Sequence, residues 1–180
     1  MLIPMPSWDG LHPIITHFPI GLLLIAPVLV VFSLIFRQYA RPYAYSALTL
    51  MVLGTAAAYI AVETGESAAE LVERGGPVDA VLEQHESLAE QTRILFTVIT
   101  LVYAFIVLAP LVIKSALKPL PWTVVNGAFL AFYLVGALFL ANTGHQGGRL
   151  VHEFGVRAMV TPMATEAAPS VGAQDDEDDE

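Results

Sequence analysis

The chain has no cysteine. That absence excludes disulfides, thiolate chemistry and any Cys-ligated zinc or iron–sulfur site. Lysine and arginine together number only 8 against 17 acidic residues, for a formal net charge of −9, which argues against nucleic acid as a partner. No GxSxG elbow, P-loop or dinucleotide fingerprint occurs. Four runs, residues 14–36, 43–62, 94–113 and 122–142, lack Asp, Glu, Lys and Arg altogether. At mid-depth they offer only Ser, Thr, Tyr and Asn, so the ionisable midplane groups of a proton relay or transporter are missing.

What is present in those runs is apolar, and 56% of the whole chain is hydrophobic. A hydrocarbon core of about 30 Å is crossed by about 20 apolar residues in a helix. The expected fold class is therefore all-α, an integral membrane four-helix bundle. The N-terminus MLIPMPSWDG carries no basic residue and the first run is too long for a signal h-region, so a cleaved leader is not expected. The loops RQYARP, with Arg37 and Arg41, and KSALKPLP, with Lys114 and Lys118, contain no acid. The positive-inside rule places both in the cytoplasm and both termini outside, in a bacterial cytoplasmic (inner) membrane.

Along the chain, residues 1–10 form a short lead in which Trp8 suits an interfacial anchor. Residues 11–157 form the transmembrane domain. Pro13 fits the first turn of helix one, while Pro19 and Pro27 are expected to kink it and free carbonyls that a neighbour must satisfy. The small residues of GTAAA, Gly54 to Ala58, favour close packing of helix two. Residues 63–93 are polar yet helical in pattern. They break at a glycine pair before Pro77 and carry an inward stripe of Val78, Val81, Leu82, His85, Leu88, Ala89 and Thr92. Helices two, three and four are thus expected to extend beyond the bilayer on one side. On helix four Leu138, Ala141, His145, Gly148 and His152 share a face, and Gly144 with Gly148 forms a GxxxG pattern. Residues 158–180, ending DDEDDE, are expected to be a disordered acidic tail.

In a four-span chain all five histidines fall on one side: His12 and His17 at the start of helix one, His85 at the head of helix three, His145 and His152 beyond helix four. Glu63, Glu66, Glu70, Glu83 and Glu86 accompany them. A buried imidazole must hydrogen-bond, ligate a metal, or destabilise the fold. Two ligand arrangements are chemically reasonable. Imidazoles from different helices could hold a b-type haem, with His17, His85 and His145 as first candidates and His12 and His152 beside them. Alternatively His17, His85 and His145 with Glu63 and Glu86 could bind a transition metal such as zinc, copper or iron. Glu83, His85 and Glu86 do not match the Glu-x-x-His spacing of di-iron bundles. His17 sits about one turn inside the helix and is the preferred ligand, with His12 as a cap or supporting group. The rival reading is a structural or accessory membrane subunit with no cofactor, whose histidines form hydrogen bonds and caps.

LHPIITHFPIG, EQHESLAE and GHQGGRLVHEFGV together resemble the bacterial predicted membrane protein family known as domain of unknown function 2231, over roughly residues 10–158. His12, Pro13, His17, Phe18 and Pro19 match its HPxxVHFPI opening, and His85 its third-helix histidine. Gly147, Gly148, Leu150, Val151, Gly155 and Val156 match its ending. The chain departs from that pattern at His152, where Tyr is usual, and His145 is not a fixed member of it. The resemblance implies a compact four-helix membrane protein with no established activity. The occurrence of some members with c-type cytochrome modules favours a redox-associated role beside a respiratory or cytochrome c-type partner. A homo-oligomer is an open alternative, and nothing supports an enzyme.

Overall fold

The computed structural model describes residues 6–113 and 119–156. The lysine-bearing loop 114–118 and the acidic tail 158–180 lie outside the described residues. Every regular element described is helical. A 3-10 turn (Asp9–Leu11) leads into α1 (His12–Ile15) and α2 (His17–Ile35); a second 3-10 turn (Arg37–Tyr39) precedes α3 (Ala40–Ala69), then α4 (Pro77–Ile113) and α5 (Pro119–His152). Four of these helical stretches are long and apolar enough to cross a membrane. This is the expected all-α bundle. At 1.5 Å per residue α4 alone reaches about 55 Å, well beyond the roughly 30 Å that hydrocarbon requires.

α2 packs on α3 and α5, and α4 packs on the same two, so α3 and α5 face one another across the bundle. The main core runs along the axis. Leu23, Ala26 and Val30 of α2 meet Ala47 and Met51 of α3, Phe96, Ile99 and Tyr103 of α4, and Phe129 and Tyr133 of α5. Gly54 permits the α2–α3 approach, since a Cβ there would stand 2.8 Å from Leu23. The outer surface is as apolar as the core: Leu101 is 65% and Phe105 70% exposed. A soluble bundle would not tolerate such a surface; lipid is the solvent that suits it. A smaller cluster of Ala69, Val81, Leu82 and Leu150, backed by Val72 and Phe154, closes the end where the chain starts.

The prolines of the first span act differently from one another. Pro13 lies in the first turn of α1. The helix breaks at Thr16, and Pro19 falls in the first turn of the new helix α2, where its missing N–H is harmless. Pro27 is inside α2 and leaves the Leu23 carbonyl, four residues back, without its donor. The Tyr133 hydroxyl of α5 donates to that carbonyl at 2.5 Å. Tyr133→Phe is expected to destabilise the detergent-solubilised protein by about 1 kcal/mol. In a Pro27→Ala background, where the helix supplies its own N–H, the cost should fall to roughly half or less. Equal costs in the two backgrounds, read by equilibrium unfolding, would contradict this role.

The α3–α4 turn uses the anticipated glycine pair. Gly76 has φ +73°, a left-handed conformation that side-chain-bearing residues rarely adopt, and Gly75 donates its N–H to Asp79 at 3.1 Å. Pro77 then opens α4.

Candidate functional site: an imidazole pair in an interhelical chamber

His12 is the first residue of α1, and the Pro13 turn aims its ring at α3. Its Nδ1 lies 2.9 Å from the Ala61 carbonyl oxygen and 3.3 Å from Thr64 Oγ1. A carbonyl only accepts, so Nδ1–H is the donor. The Ala61 carbonyl is reachable because residue 65, four positions on, is glycine: a Cβ there would stand 2.8 Å from His12 Cε1.

His85 repeats the device on the other hairpin. From α4 its Nδ1–H donates to the Thr143 carbonyl of α5 at 3.0 Å. Residue 147, again four positions beyond the accepting carbonyl, is glycine, and a Cβ there would come to 3.0 Å of His85 Cε1. The Thr143 hydroxyl is held by Thr92 Oγ1 at 2.8 Å and by the Phe139 carbonyl at 2.9 Å, which fixes this stretch of α5.

The two rings lie near each other, with centroids 6.5 Å apart and planes at 82°. With each Nδ1 proton committed to a carbonyl, a neutral ring leaves its Nε2 lone pair unspent. Neither Nε2 has a hydrogen-bond partner among the described residues. Both rings line a chamber of about 970 Å³ between the helices, within the size range of cofactor pockets. Ala58, Ala61 and Gly65 on one wall and Gly144, Gly147 and Gly148 on another leave it wide.

The other anticipated ligands fall elsewhere. His17 stands at the chamber's exposed edge, its Nδ1 donating to the Pro13 carbonyl at 2.7 Å across the helix break. On α5 Leu138, His145 and His152 are all exposed; His145 lies away from the chamber, whereas His152 borders it. Leu140, Thr143, Gly147 and Leu150 point inward instead. In a helix apolar all round, periodicity could not choose between these faces. Gly144 and Gly148 have open space where a Cβ would go, so the GxxxG pattern makes no tight contact among the described residues. Glu63 is exposed and pairs with Arg93 at 3.7 Å, whereas Glu86 does line the chamber. Among the described residues no group of three or more His, Asp or Glu side chains could hold a metal ion. The expected set of His17, His85, His145, Glu63 and Glu86 is therefore not gathered into one coordination shell.

Residues 9–159 match the predicted membrane protein family DUF2231. The chain belongs to that family. No curated protein and no solved structure matches it. Within this DUF2231 chain the residues that sequence reading passed over are Gly65, Thr64, Thr143 and Arg93. Their one available signal was a glycine on a helix at the level of a histidine on its neighbour.

Gly65→Ala is expected to push His12 off its carbonyl and lower stability by about 1–3 kcal/mol. Because the three nearest atoms to the added methyl all belong to the imidazole, Gly65→Ala on top of His12→Ala should cost almost nothing further. Full additivity of the two in thermal unfolding would show that the glycine serves something other than the ring.

Proposed function

We propose that the chamber holds a b-type haem between His12 and His85, and that the protein is an electron-transferring component of the bacterial cytoplasmic membrane. The observation that carries this reading is the paired geometry of the two imidazoles. Each is locked through Nδ1 by a carbonyl of a different hairpin, and each has an uncommitted Nε2 in the same cavity. This is the usual way a protein orients a ligating histidine, with the second nitrogen fixing the ring. Two imidazoles on opposite sides of one metal ion, at about 2 Å each, hold their centroids roughly 6 Å apart. The separation of 6.5 Å is close to that.

A bare ion fits less well, since it needs a third and fourth ligand that the described residues do not bring together. Haem carries four nitrogens of its own and asks the protein only for axial ligands. When bound it would be held by His12 and His85 and would supply one-electron chemistry. The chain's part is to orient the two rings by giving each Nδ1 proton a fixed acceptor, to keep them neutral by burial, which holds both below the ordinary histidine value against the opposing pull of the carbonyl bonds, and to surround the group with glycine, alanine and threonine. Protonation of Nε2 competes with ligation, so acidification should release the cofactor.

Protein from a haem-replete host is expected to show a low-spin bis-imidazole spectrum. His12→Ala and His85→Ala should each abolish it, while His17→Ala, His145→Ala and His152→Ala leave it in place. A spectrum that survives loss of His12 or His85, or no Soret band in the wild type, rules the assignment out. In the latter case the chamber histidines are packing elements of an accessory subunit, and their replacement would alter only stability.

The chamber end is assigned to the periplasmic side, facing a cytochrome c-type or respiratory partner, on the strength of Arg37 and Arg41 at the opposite end. The cysteine-free chain makes this simple to test. A cysteine at Glu83 should react with an impermeant maleimide in spheroplasts and one at Gln38 should not; the reverse pattern would invert the topology.

A further inference from the structure

The chamber is acidic, with Asp9, Glu66, Glu73 and Glu86 on its walls. Arg93 is the one Lys or Arg side chain among its described lining residues. That side chain is only 18% exposed, and its guanidinium sits over the Tyr59 ring, 5.0 Å from the centroid. It is therefore held in place by stacking rather than by charge alone. Its carboxylate neighbours are looser: Glu63, 3.7 Å away, is 59% exposed, and Glu90 is 44% exposed. Of the five N–H donors of a guanidinium, one is committed to a hydrogen bond among the described residues, to Glu90.

We propose that Arg93 is the anchor for a carboxylate of the chamber's occupant, which in the haem reading, on which this inference rests, is a propionate. An apolar macrocycle bearing two carboxylates meets like charge at four of the five Asp, Glu, Lys or Arg side chains among the described lining residues. A carboxylate drawn in beside Asp9, Glu66 and Glu86 is unfavourable unless a cation compensates it. Arg93 compensates it, with Glu63 turning outward into water as the incoming carboxylate takes its place. Bidentate pairing would also fix the macrocycle's rotation about the axis through the two imidazoles.

The test compares haem b with its dimethyl ester, which keeps the ring and iron but has no carboxylate, by Soret titration of the purified full chain. The wild type is expected to bind the free acid at least about tenfold more tightly than the ester. Arg93→Gln should bind the two within about twofold of each other, and Arg93→Lys should restore part of the preference. Monodispersity and a cooperative thermal transition check that each variant is folded. Should Arg93→Gln fail to fold, the wild-type comparison and Arg93→Lys decide. Arg93→Gln that still prefers the free acid, or a wild type indifferent to esterification, overturns the anchor while leaving a bis-imidazole spectrum intact. A wild type that takes up neither compound overturns the haem reading and the anchor together.

Discussion

In hydrocarbon a helix carbonyl has two hydrogen-bond partners to choose from, its own N–H four residues on or a side chain from a neighbour. This protein uses the side chain repeatedly, in place of the helix N–H at Leu23 and beside it at Ala61 and Thr143, and at each place residue i+4 explains why. Pro27 has no N–H, so Leu23 accepts from Tyr133. Gly65 and Gly147 have no side chain, so Ala61 and Thr143 are open to His12 and His85. At the helix break residue 17 is itself the donor, through its ring, to Pro13. These bonds tie α1 to α3, α4 to α5, and α5 to α2, and they determine where the two chamber imidazoles stand. Association in lipid has little hydrophobic drive, so packing and such polar ties carry a larger share of specificity than in a soluble bundle.

The same logic gives the bundle two unlike ends. Toward its middle the core is dry and aromatic, with Tyr103 stacked on Phe129 at 4.5 Å and Phe96 edge-on to Tyr133 at 5.5 Å. Toward the chamber the lining turns to glycine, alanine and threonine, and the bundle opens. Large side chains there would have filled the cavity, as Phe96 and Ile99 do against Gly136. The small residues that look like packing motifs in the sequence thus serve two ends: Gly54 draws helices together, while Gly65 and Gly147 make room for rings.

Much of this was legible in advance. Charge-free runs of membrane length and a glycine pair before Pro77 give four spans and the α3–α4 turn without further information. The orphan carbonyl at Pro27 was foreseeable; that Tyr133 answers it was not, because 110 positions separate donor and acceptor. The inward stripe on α4, with His85 on it, came from alternation of polar and apolar residues and agrees with burial. On α5 that alternation is absent: His145 points outward, and His152, also exposed, sits at the chamber's border. The two first-helix histidines exchange the places sequence reading gave them. Depth along the helix pointed to His17, but the Pro13 turn and the break at Thr16 send His12 toward His85 and leave His17 at the chamber's edge. Five positions apart on backbone that stays right-handed helical, the two rings point about 140° away from each other, so only one can face the chamber squarely.

The central claim is that His12 and His85 are neutral rings held by Nδ1–H with Nε2 presented to the chamber. Nitrogen-15 NMR of histidine-labelled protein reads this directly, since protonated and unprotonated ring nitrogens differ widely in shift. In cofactor-free protein at neutral pH, two histidines assigned by His12→Ala and His85→Ala are expected as the Nδ1–H tautomer, against the commoner Nε2–H form in free histidine. Finding either residue as the Nε2–H tautomer would mean that its carbonyl bond does not exist, and the paired site with it.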